Sequence, residues 1–163
     1  MGHDRTDFAE FYARSRDGCL RAVLASVGDM QTAEELVAEA FARALAGWRK
    51  VRKHPAPRAW VVRTALNLNV SAWRRRRREL PIDGHDAPAP ATGLDQVDAE
   101  LMAALLRLPE RQREVVALRI FLDLDTARTA EVLGIAPGTV TAHLARAIAA
   151  LRGEFLTAQR QED

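Results

Sequence analysis

The sequence predicts an all-α chain of two small helical domains joined by a flexible linker. Alanine and leucine supply most of the apolar residues, and both favour helices. Apolar residues recur at helical spacing in several segments, and no strand-like alternation is long enough for a sheet. The stretch 81–93 has three prolines, two glycines and no apolar periodicity, which indicates an extended linker. We therefore expect a first domain over 1–79, an acidic Pro-rich linker over 80–94 and a second domain over 95–159.

The first domain is expected to contain three helices. The first covers 7–28 and ends where Gly28-Asp29 breaks the apolar pattern. The second runs from about Thr32 to Lys50, with acidic first turns and a basic last turn, as the helix dipole favours. The prolines of His54–Pro57 interrupt the pattern, and a third helix follows over about Arg58–Arg78. The second helix should bury one apolar stripe, which consists of Leu36, Val37, Ala40, Phe41, Ala44, Leu45 and Trp48.

The charge of the chain is strongly polarised along its length. Residues 41–78 contain twelve Arg and Lys and no Asp or Glu, whereas residues 1–40 and 79–163 carry net charges of −4 and −6. A basic block with interspersed tryptophans favours binding to a phosphate backbone and exposed bases. The alternative is a solvated arginine face, but such faces usually mix signs. Trp48 and Trp60 are expected in the core, and Trp73, among arginines, at the surface.

The second domain has the pattern of a helix-turn-helix over Thr126–Ala147. Ala130 is small where two helices would cross, Gly134 ends the first helix, and Pro137 begins the second. An ordinary helical hairpin is the alternative, and the spacing favours DNA binding. Two sets of apolar residues should face the core: Val115, Val116, Leu118 and Ile120 before the motif, and Val140, Leu144, Ala147 and Ile148 within it.

Composition argues against several other classes. No run of eighteen apolar residues occurs and the N-terminus lacks an apolar signal core, so we expect a cytoplasmic protein without membrane insertion. The single cysteine, Cys19, excludes an internal disulfide and is expected to be buried. The four histidines are scattered, with no zinc-protease, phosphate-loop or nucleophile-elbow motif. The sequence therefore predicts neither an enzyme nor a cofactor or metal site.

Four segments, in order along the chain, resemble bacterial sigma factors of the extracytoplasmic-function (ECF) group. The first is Gly28-Asp29 followed by Ala33–Phe41, which resembles that group's Gly-Asp…Ala-Glu-Asp-Leu-Val-Gln-Glu-Thr-Phe segment. The second is Pro57–Asn67, which resembles the group's Trp-Leu…Ile-Ala…Asn segment. The third is Leu108–Arg119, which resembles Leu-Pro-x-x-x-Arg-x-Val-x-x-Leu-Arg, the opening of the group's region 4. The fourth is Leu133–Val140, which resembles the end of that region.

The resemblance implies a region 2-like helical bundle and a region 4-like helix-turn-helix domain. It implies an alternative sigma factor that binds core RNA polymerase, directs it to promoters and helps to melt the −10 element. The polymerase partners would be the β′ clamp helices and the β flap, and an anti-sigma factor is a further partner that many relatives have. The acidic surface that would dock on the polymerase consists of Asp29, Glu34, Glu35, Leu36 and Glu39.

The resemblance also implies two DNA-binding surfaces. The surface for the unpaired −10 strand would consist of Arg49, Lys50, Arg52, Lys53, His54, Arg58, Arg63, Asn67, Trp73, Arg74 and Arg77. The loop at His54 would hold a flipped base, and the amide of Asn67 would meet a base edge or the backbone. The surface for the −35 element in the major groove would consist of Arg128, Thr139, Thr141, Ala142, His143 and Arg146.

The sequence departs from the group in two places. Ala38 and Ala40 stand where Gln and Thr are usual, and Thr141-Ala142-His143 replaces the usual Lys-Ser-Arg. Residues 101–163 carry eight acidic and eight basic side chains, so we expect the first domain to supply most of the salt-dependent DNA affinity. A helix-turn-helix regulator of the two-component output type is the alternative function, although residues 1–78 lack the βα pattern of a receiver domain.

Overall fold

A computed structural model of the chain describes residues 2–79 and 96–161. Within these ranges the chain is helical and contains no strand, so the predicted all-α class is confirmed. The expected linker, 80–94, lies outside the described residues. The helices of the first half are α1 (Gly2–Val27), α2 (Met30–Ala46), α3 (Trp48–Val51) and α4 (Pro57–Glu79). Those of the second half are α5 (Gln96–Arg107), α6 (Glu110–Val116), a π-helix (Ala117–Phe121), α7 (Thr126–Leu133) and α8 (Pro137–Gln161).

The break between α1 and α2 forms where the sequence predicts it. Gly28 has φ +77°, a conformation that glycine adopts without steric cost, and it ends α1. Asp29 is the N-cap of α2, and its carboxylate accepts a hydrogen bond from the backbone N–H of Thr32 at 2.9 Å. The start of α1 lies five residues before the predicted one, at Gly2.

The prediction of one helix over Thr32–Lys50 is wrong at Gly47. This residue has φ −105° and ψ 22°, so α2 ends before it and α3 begins after it. The ring of Trp48, which follows this break, packs against Phe8 and Phe11 with centroid distances of 5.3 and 5.0 Å. Leu45, predicted to be buried on the stripe of α2, is instead about half exposed, whereas Ala44 and Trp48 of the same stripe are buried.

The second half contains the expected helix-turn-helix. Asp125 caps α7 by accepting a hydrogen bond from the N–H of Arg128, and Gly134 ends it in the left-handed conformation with φ +66°. The axes of α7 and α8 differ by 103°, within the range of about 90–120° that helix-turn-helix pairs adopt. Among the described residues no single helix is long and apolar enough to cross a membrane, although this bent pair together meets the same length and composition test.

One detail of the predicted core is wrong at the π-helix. The N–H of Leu122 donates to the carbonyl of Ala117 at 3.0 Å, five residues earlier, so the turn holds one extra residue. Leu118 is fully buried as expected, whereas Ile120 is more than half exposed. The two residues are two positions apart, and such residues lie on opposite sides of a helix.

The two halves share one hydrophobic core. Helix α1 packs against α2 and α4 on the first-half side and against α5, α6 and the π-helix on the other. Val23 of α1 and Val61 of α4 belong to the same buried cluster as Val115 and Leu118 of the second half. Close approach also explains why residue 28 has no side chain, because Leu106 of α5 occupies the place where a Cβ would lie. The predicted burial of Cys19 is confirmed.

Candidate polymerase and nucleic-acid interface

The acidic surface predicted for polymerase docking lies on one side of α2. Glu34, Glu35 and Glu39 are exposed, so their carboxylates are available to a partner. Glu39 forms an ion pair with Arg43 one turn later at 3.1 Å. Leu36 is only 9% exposed and contributes to the core beneath this surface rather than to the surface itself.

Asp29 differs from the other acidic residues because it has a structural task. The hydroxyl and the backbone N–H of Thr32 both donate to its carboxylate, and these hydrogen bonds hold the pKa of Asp29 below its usual value. The charged form is thereby favoured at the N-terminus of α2, where the helix dipole also favours it. Asp29 can contribute to docking only through the part of the carboxylate that the cap leaves free.

Basic side chains cluster at α3 and in the turn that follows it. Arg49, Lys50, Arg52 and Lys53 are all exposed. Two of them meet acidic residues from the first turns of α1. Arg52 donates to Asp4 at 3.1 Å and to Asp7 at 3.4 Å, and Arg49 lies 3.6 Å from Asp4. Sequence reasoning placed the arginines at this surface and missed the carboxylates, which are more than forty positions away along the chain.

The turn from α3 to α4 carries His54 and Arg58. The Nδ1 atom of His54 accepts a hydrogen bond from the backbone N–H of Ala56 at 3.0 Å, which shapes the turn. The guanidinium of Arg58 lies directly over Gly18, so that any side chain at position 18 would displace it. This contact explains why a glycine stands in the middle of α1. Arg58 is therefore partly engaged with α1, whereas the basic residues of α3 face solvent.

An open surface cavity of about 390 Å³ lies between α2 and α4. It is lined by Arg43, Trp60, Thr64, Asn67, Leu68 and Ser71. The lining combines an amide, two hydroxyls and a guanidinium with the apolar surfaces of Trp60 and Leu68, and the space is large enough for a nucleobase. The structure thus places Asn67 at a cavity separate from the turn at His54. Thr64 and Ser71 were not predicted as site residues, although their spacing of seven puts them on the same face of α4 as Trp60 and Asn67.

Arg63 joins the basic surface to the second half of the chain. Its Nη1 donates to Oε1 of Glu114 on α6 at 2.9 Å, and Arg111 donates to the other oxygen of the same carboxylate, also at 2.9 Å. Glu114 is 8% exposed. Sequence reasoning missed Glu114, because no local pattern connects it with a residue 51 positions earlier.

The predicted residues Trp73, Arg74 and Arg77 belong to the last turns of α4. The backbone of these turns is helical, and the three side chains lie outside the described residues. Arg75, in the same run, is exposed.

The predicted −35 residues lie around the N-terminal half of α8. Thr139, Thr141 and Arg146 are exposed, and Ala142 and His143 are half-buried. The hydroxyl of Thr141 donates to the carbonyl of Pro137 at 3.2 Å, which occupies its only hydrogen. Arg128 of α7 is exposed and lies 3.5 Å from Glu131. Val140 and Ala147 are fully buried as expected and fix the rotation of the helix.

Comparison with known families finds two matches along the chain. Residues 11–79 match the family model described as sigma-70 region 2, and residues 98–151 match the one described as sigma-70, region 4. The first match covers the acidic face of α2, the basic turn and the cavity between α2 and α4. The second covers α6, the π-helix and the helix-turn-helix.

Whole-chain comparisons find similar proteins in several bacteria. RNA polymerase sigma-E factor of Streptomyces coelicolor is 31% identical over 92% of this chain and 86% of its own length. ECF RNA polymerase sigma factor SigW of Bacillus subtilis is 24% identical over 93% of this chain and 90% of its own. Among solved structures, the sigma factor RpoE of Bartonella quintana, in complex with the anti-sigma factor NepR, has a TM-score of 0.76 at 22% identity. That match covers 91% of this chain and 96% of the other, and it supports the fold.

Proposed function

Because the chain belongs to the sigma-70 family of RNA polymerase sigma factors, in its extracytoplasmic-function group, we propose that it is an alternative sigma factor with the surfaces described above. The observation that carries the proposal is the presence of both region 2 and region 4 segments, in that order, on one chain. The protein would bind core RNA polymerase, direct it to particular promoters and help to melt the −10 element. Its place of action would be the cytoplasm.

The exposed acidic face of α2 is the proposed contact with the β′ clamp helices of the polymerase. Carboxylates at Glu34, Glu35 and Glu39 would meet a basic surface, which steers association and fixes the orientation of the two partners. The half of the chain that contains α8 would bind the β flap. Ala38 is exposed beside Glu39, so the side chain that stands where Gln is usual adds no hydrogen bond to this contact.

The basic turn and the α2–α4 cavity are proposed to hold the unpaired −10 strand. Arg49, Lys50 and Lys53 are exposed and would bind phosphates. A base turned out of the stack could enter either the turn at His54 or the cavity that contains Asn67. Binding only the unpaired strand shifts the duplex towards melting, because the bound state is removed from the base-pairing equilibrium. The protein would therefore act by binding, with no bond made or broken.

Helix α8 is proposed to enter the major groove of the −35 element. Thr139 and Thr141 are exposed on its first turns, and Ala142 could contact a thymine methyl group. Arg146, one turn further along, would bind a phosphate. With no Lys or Arg at positions 139–143, this surface supplies little of the salt-dependent affinity.

The comparisons do not favour the alternative of a two-component output regulator. Such a regulator would explain the helix-turn-helix of α7 and α8 but not the region 2 match over residues 11–79. An anti-sigma factor is proposed as a further partner, because one sigma factor of similar fold has been crystallised in complex with one.

Docking on the polymerase can be tested directly by binding to core RNA polymerase from Streptomyces coelicolor. The double variant Glu34→Lys/Glu35→Lys should bind at least about 10-fold more weakly, because two favourable charge contacts become repulsive. The matched control Glu10→Lys/Asp17→Lys makes the same charge change on the exposed side of α1 and should stay within about 2-fold of the parent. Equal losses in the two variants, or no binding by the parent chain, would refute the proposed surface.

A further inference from the structure

A second cavity lies between the first turns of α1 and the end of α2, and we call it the α1–α2 cavity. It is open to solvent and has a volume of about 810 Å³. Small-molecule pockets have volumes of about 300–1,000 Å³, so this space can hold a ligand of the size of a nucleotide. Among the described residues, no lining residue is shared with the cavity that contains Asn67. The two cavities are therefore separate sites.

The wall of the α1–α2 cavity is apolar where α2 ends. Leu45 is 49% exposed, and Ala46 beside it is also exposed. Gly47 adds no side chain to the space, and Trp48 completes this part of the lining. A single exposed leucine is ordinary at a protein surface, but this one lines a cavity of defined volume. A wall of this kind binds the flat face of a ring, because contact removes apolar surface from water.

Basic side chains complete the lining around this apolar wall. Arg5, Arg49 and Lys50 line the cavity and are exposed. Asp4, the acidic residue among the described lining residues, lies 3.6 Å from Arg49 and 3.1 Å from Arg52. Three basic groups against one acidic group leave an excess of two positive charges, which favours an anionic ligand. An apolar wall with basic residues around it suits a nucleotide, whose base is flat and whose phosphate is negative.

The α1–α2 cavity is continuous with the surface proposed for the −10 strand. Arg49 and Lys50 belong both to the cavity and to the basic residues proposed to bind phosphates. The end of α2 contributes to both cavities, with Arg43 in one and Leu45 and Ala46 in the other. A strand bound along the basic turn would therefore pass both openings.

We propose that the α1–α2 cavity holds a second unpaired base of the −10 strand. The base would lie against Leu45 and Ala46, and its flanking phosphates would meet Arg49, Lys50 and Arg5. Arg5 is thereby added to the −10 surface that sequence reasoning assigned. Binding two bases rather than one favours the unpaired strand further, because each captured base stabilises only the melted state. The inference rests on the proposed function, since that function supplies the unpaired strand.

Single-stranded binding by the full chain tests the proposal. One probe is a fluorescein-labelled oligothymidylate of about 12 nucleotides, and the other is an abasic oligomer with the same number of phosphates. Ala46→Phe places a ring in the cavity and leaves the charge unchanged. It should lower the affinity for the oligothymidylate at least about 5-fold and keep that for the abasic oligomer within about 2-fold, because only base contacts are lost.

Ala13→Phe is the matched control, because it makes the same change at an exposed position of α1 outside the cavity. It should bind both probes within about 2-fold of the parent. If Ala46→Phe also binds both probes as the parent does, the cavity holds no base and the proposal fails. That result would leave the cavity to another anionic ligand, such as an acidic peptide.

A second pair of variants decides the question if Ala46→Phe lowers the helical content. Leu45→Gln removes apolar surface from the cavity wall and should weaken binding of the oligothymidylate at least about 3-fold. Leu156→Gln makes the same change at an exposed leucine of α8 and should bind like the parent. Equal effects of the two leucine substitutions would contradict the proposal.

Photocrosslinking locates the base directly. With 5-bromodeoxyuridine in place of thymidine, the parent should form crosslinks to the tryptic peptide Ala44–Arg49, which carries the apolar wall. Crosslinks confined to the peptide Thr64–Arg74, which carries Asn67, would place the base in the α2–α4 cavity alone and overturn the proposal. None of these measurements uses polymerase, so a failure here is distinct from a failure of the proposed sigma-factor activity.

Discussion

Arg52 donates from Nη1 to Oδ1 of Asp4 across 3.1 Å, so the first turn of α1 holds a carboxylate against the basic turn that follows α3. Asp7, one turn further along α1, contacts the same guanidinium. The two carboxylates therefore engage an arginine that we propose binds the −10 strand. If Arg52 binds a phosphate of that strand, Asp4 and Asp7 compete with the phosphate for the guanidinium.

Removing both carboxylates should strengthen binding to single-stranded DNA. For Asp4→Asn/Asp7→Asn we expect an affinity about 3- to 10-fold higher and a salt dependence steeper by about one phosphate, because Arg52 is released. Anisotropy at several salt concentrations measures both quantities. The control is Glu10→Gln/Asp17→Asn, which removes two exposed charges from the same helix and contacts none of these arginines. An equal gain in the control would show that only net charge matters.

Two substitutions at the N-cap of α2 distinguish the hydrogen bonds of Asp29 from its charge. Asp29→Ala should lower the free energy of unfolding by about 1 kcal/mol, as loss of an N-cap usually does, whereas Asp29→Asn should retain most of it. Thermal unfolding measures both variants, and Asp17→Ala, at an exposed position of α1, serves as the control. A stability loss in Asp29→Asn as large as that in Asp29→Ala would contradict the capping role.

Asp29 should also make the stability of the fold depend on pH. The folded pKa of Asp29 lies below the usual value of 3.8, so its contribution to stability is present above that value and is lost as pH falls through the folded pKa. The stability difference between the parent and Asp29→Ala should therefore shrink below about pH 4. A difference that stays constant from pH 7 to pH 2.5 would show that the hydrogen bonds from Thr32 do not favour the charged form.

The arginine run at the end of α4 should determine much of the salt dependence. Arg74→Gln/Arg77→Gln should reduce the slope of log affinity against log salt by up to about 1.4 for single-stranded DNA, since each phosphate contact contributes about 0.7. Arg14→Gln/Arg21→Gln removes two exposed arginines from α1 and should change the slope by much less. If the two double variants reduce the salt slope equally, the arginine run at the end of α4 does not contact the phosphates directly.

Basic residues in the first turns of α8, at the positions where the sigma-factor group usually has Lys and Arg, should raise the affinity for duplex DNA. Thr141→Lys/His143→Arg should strengthen binding to a random duplex and raise the salt slope by up to about 2. The same two charges at Thr157 and Gln159, exposed near the other end of α8, provide the control. A gain of equal size at both ends of the helix would mean that the first turns do not face the groove.

Local features of the fold were predictable because their causes are local. Gly134 and Pro137 mark the turn of the helix-turn-helix through their own backbone preferences. Gly18 and Gly47 show the limit of this reasoning. Gly18 lies inside α1, where the guanidinium of Arg58 leaves no room for a side chain. Gly47 separates α2 from α3, and Trp48 beside it packs in the aromatic cluster. The same residue type gives opposite results, and the deciding contacts are distant in sequence.

The residues of the candidate site also fall into a group that the sequence predicts and a group that depends on tertiary packing. The exposed glutamates of α2 and the basic residues of α3 were predictable from charge and helical period. The partners Asp4 and Glu114, and the cavity around Asn67, depend on which helices pack together. No local pattern in the sequence indicates that packing, because the residues in contact are 48 and 51 positions apart in the Arg52–Asp4 and Arg63–Glu114 pairs.

Transcription in vitro tests the central claim most directly. Core RNA polymerase and a library of GC-rich promoter fragments would be incubated with and without the purified chain, and the 5′ ends of the transcripts would be sequenced. A sigma factor predicts start sites that occur only when the chain is added and that share −35 and −10 sequences at a fixed spacing. Identical start sites in the two reactions, together with binding of the chain to duplex DNA in the absence of polymerase, would contradict the account.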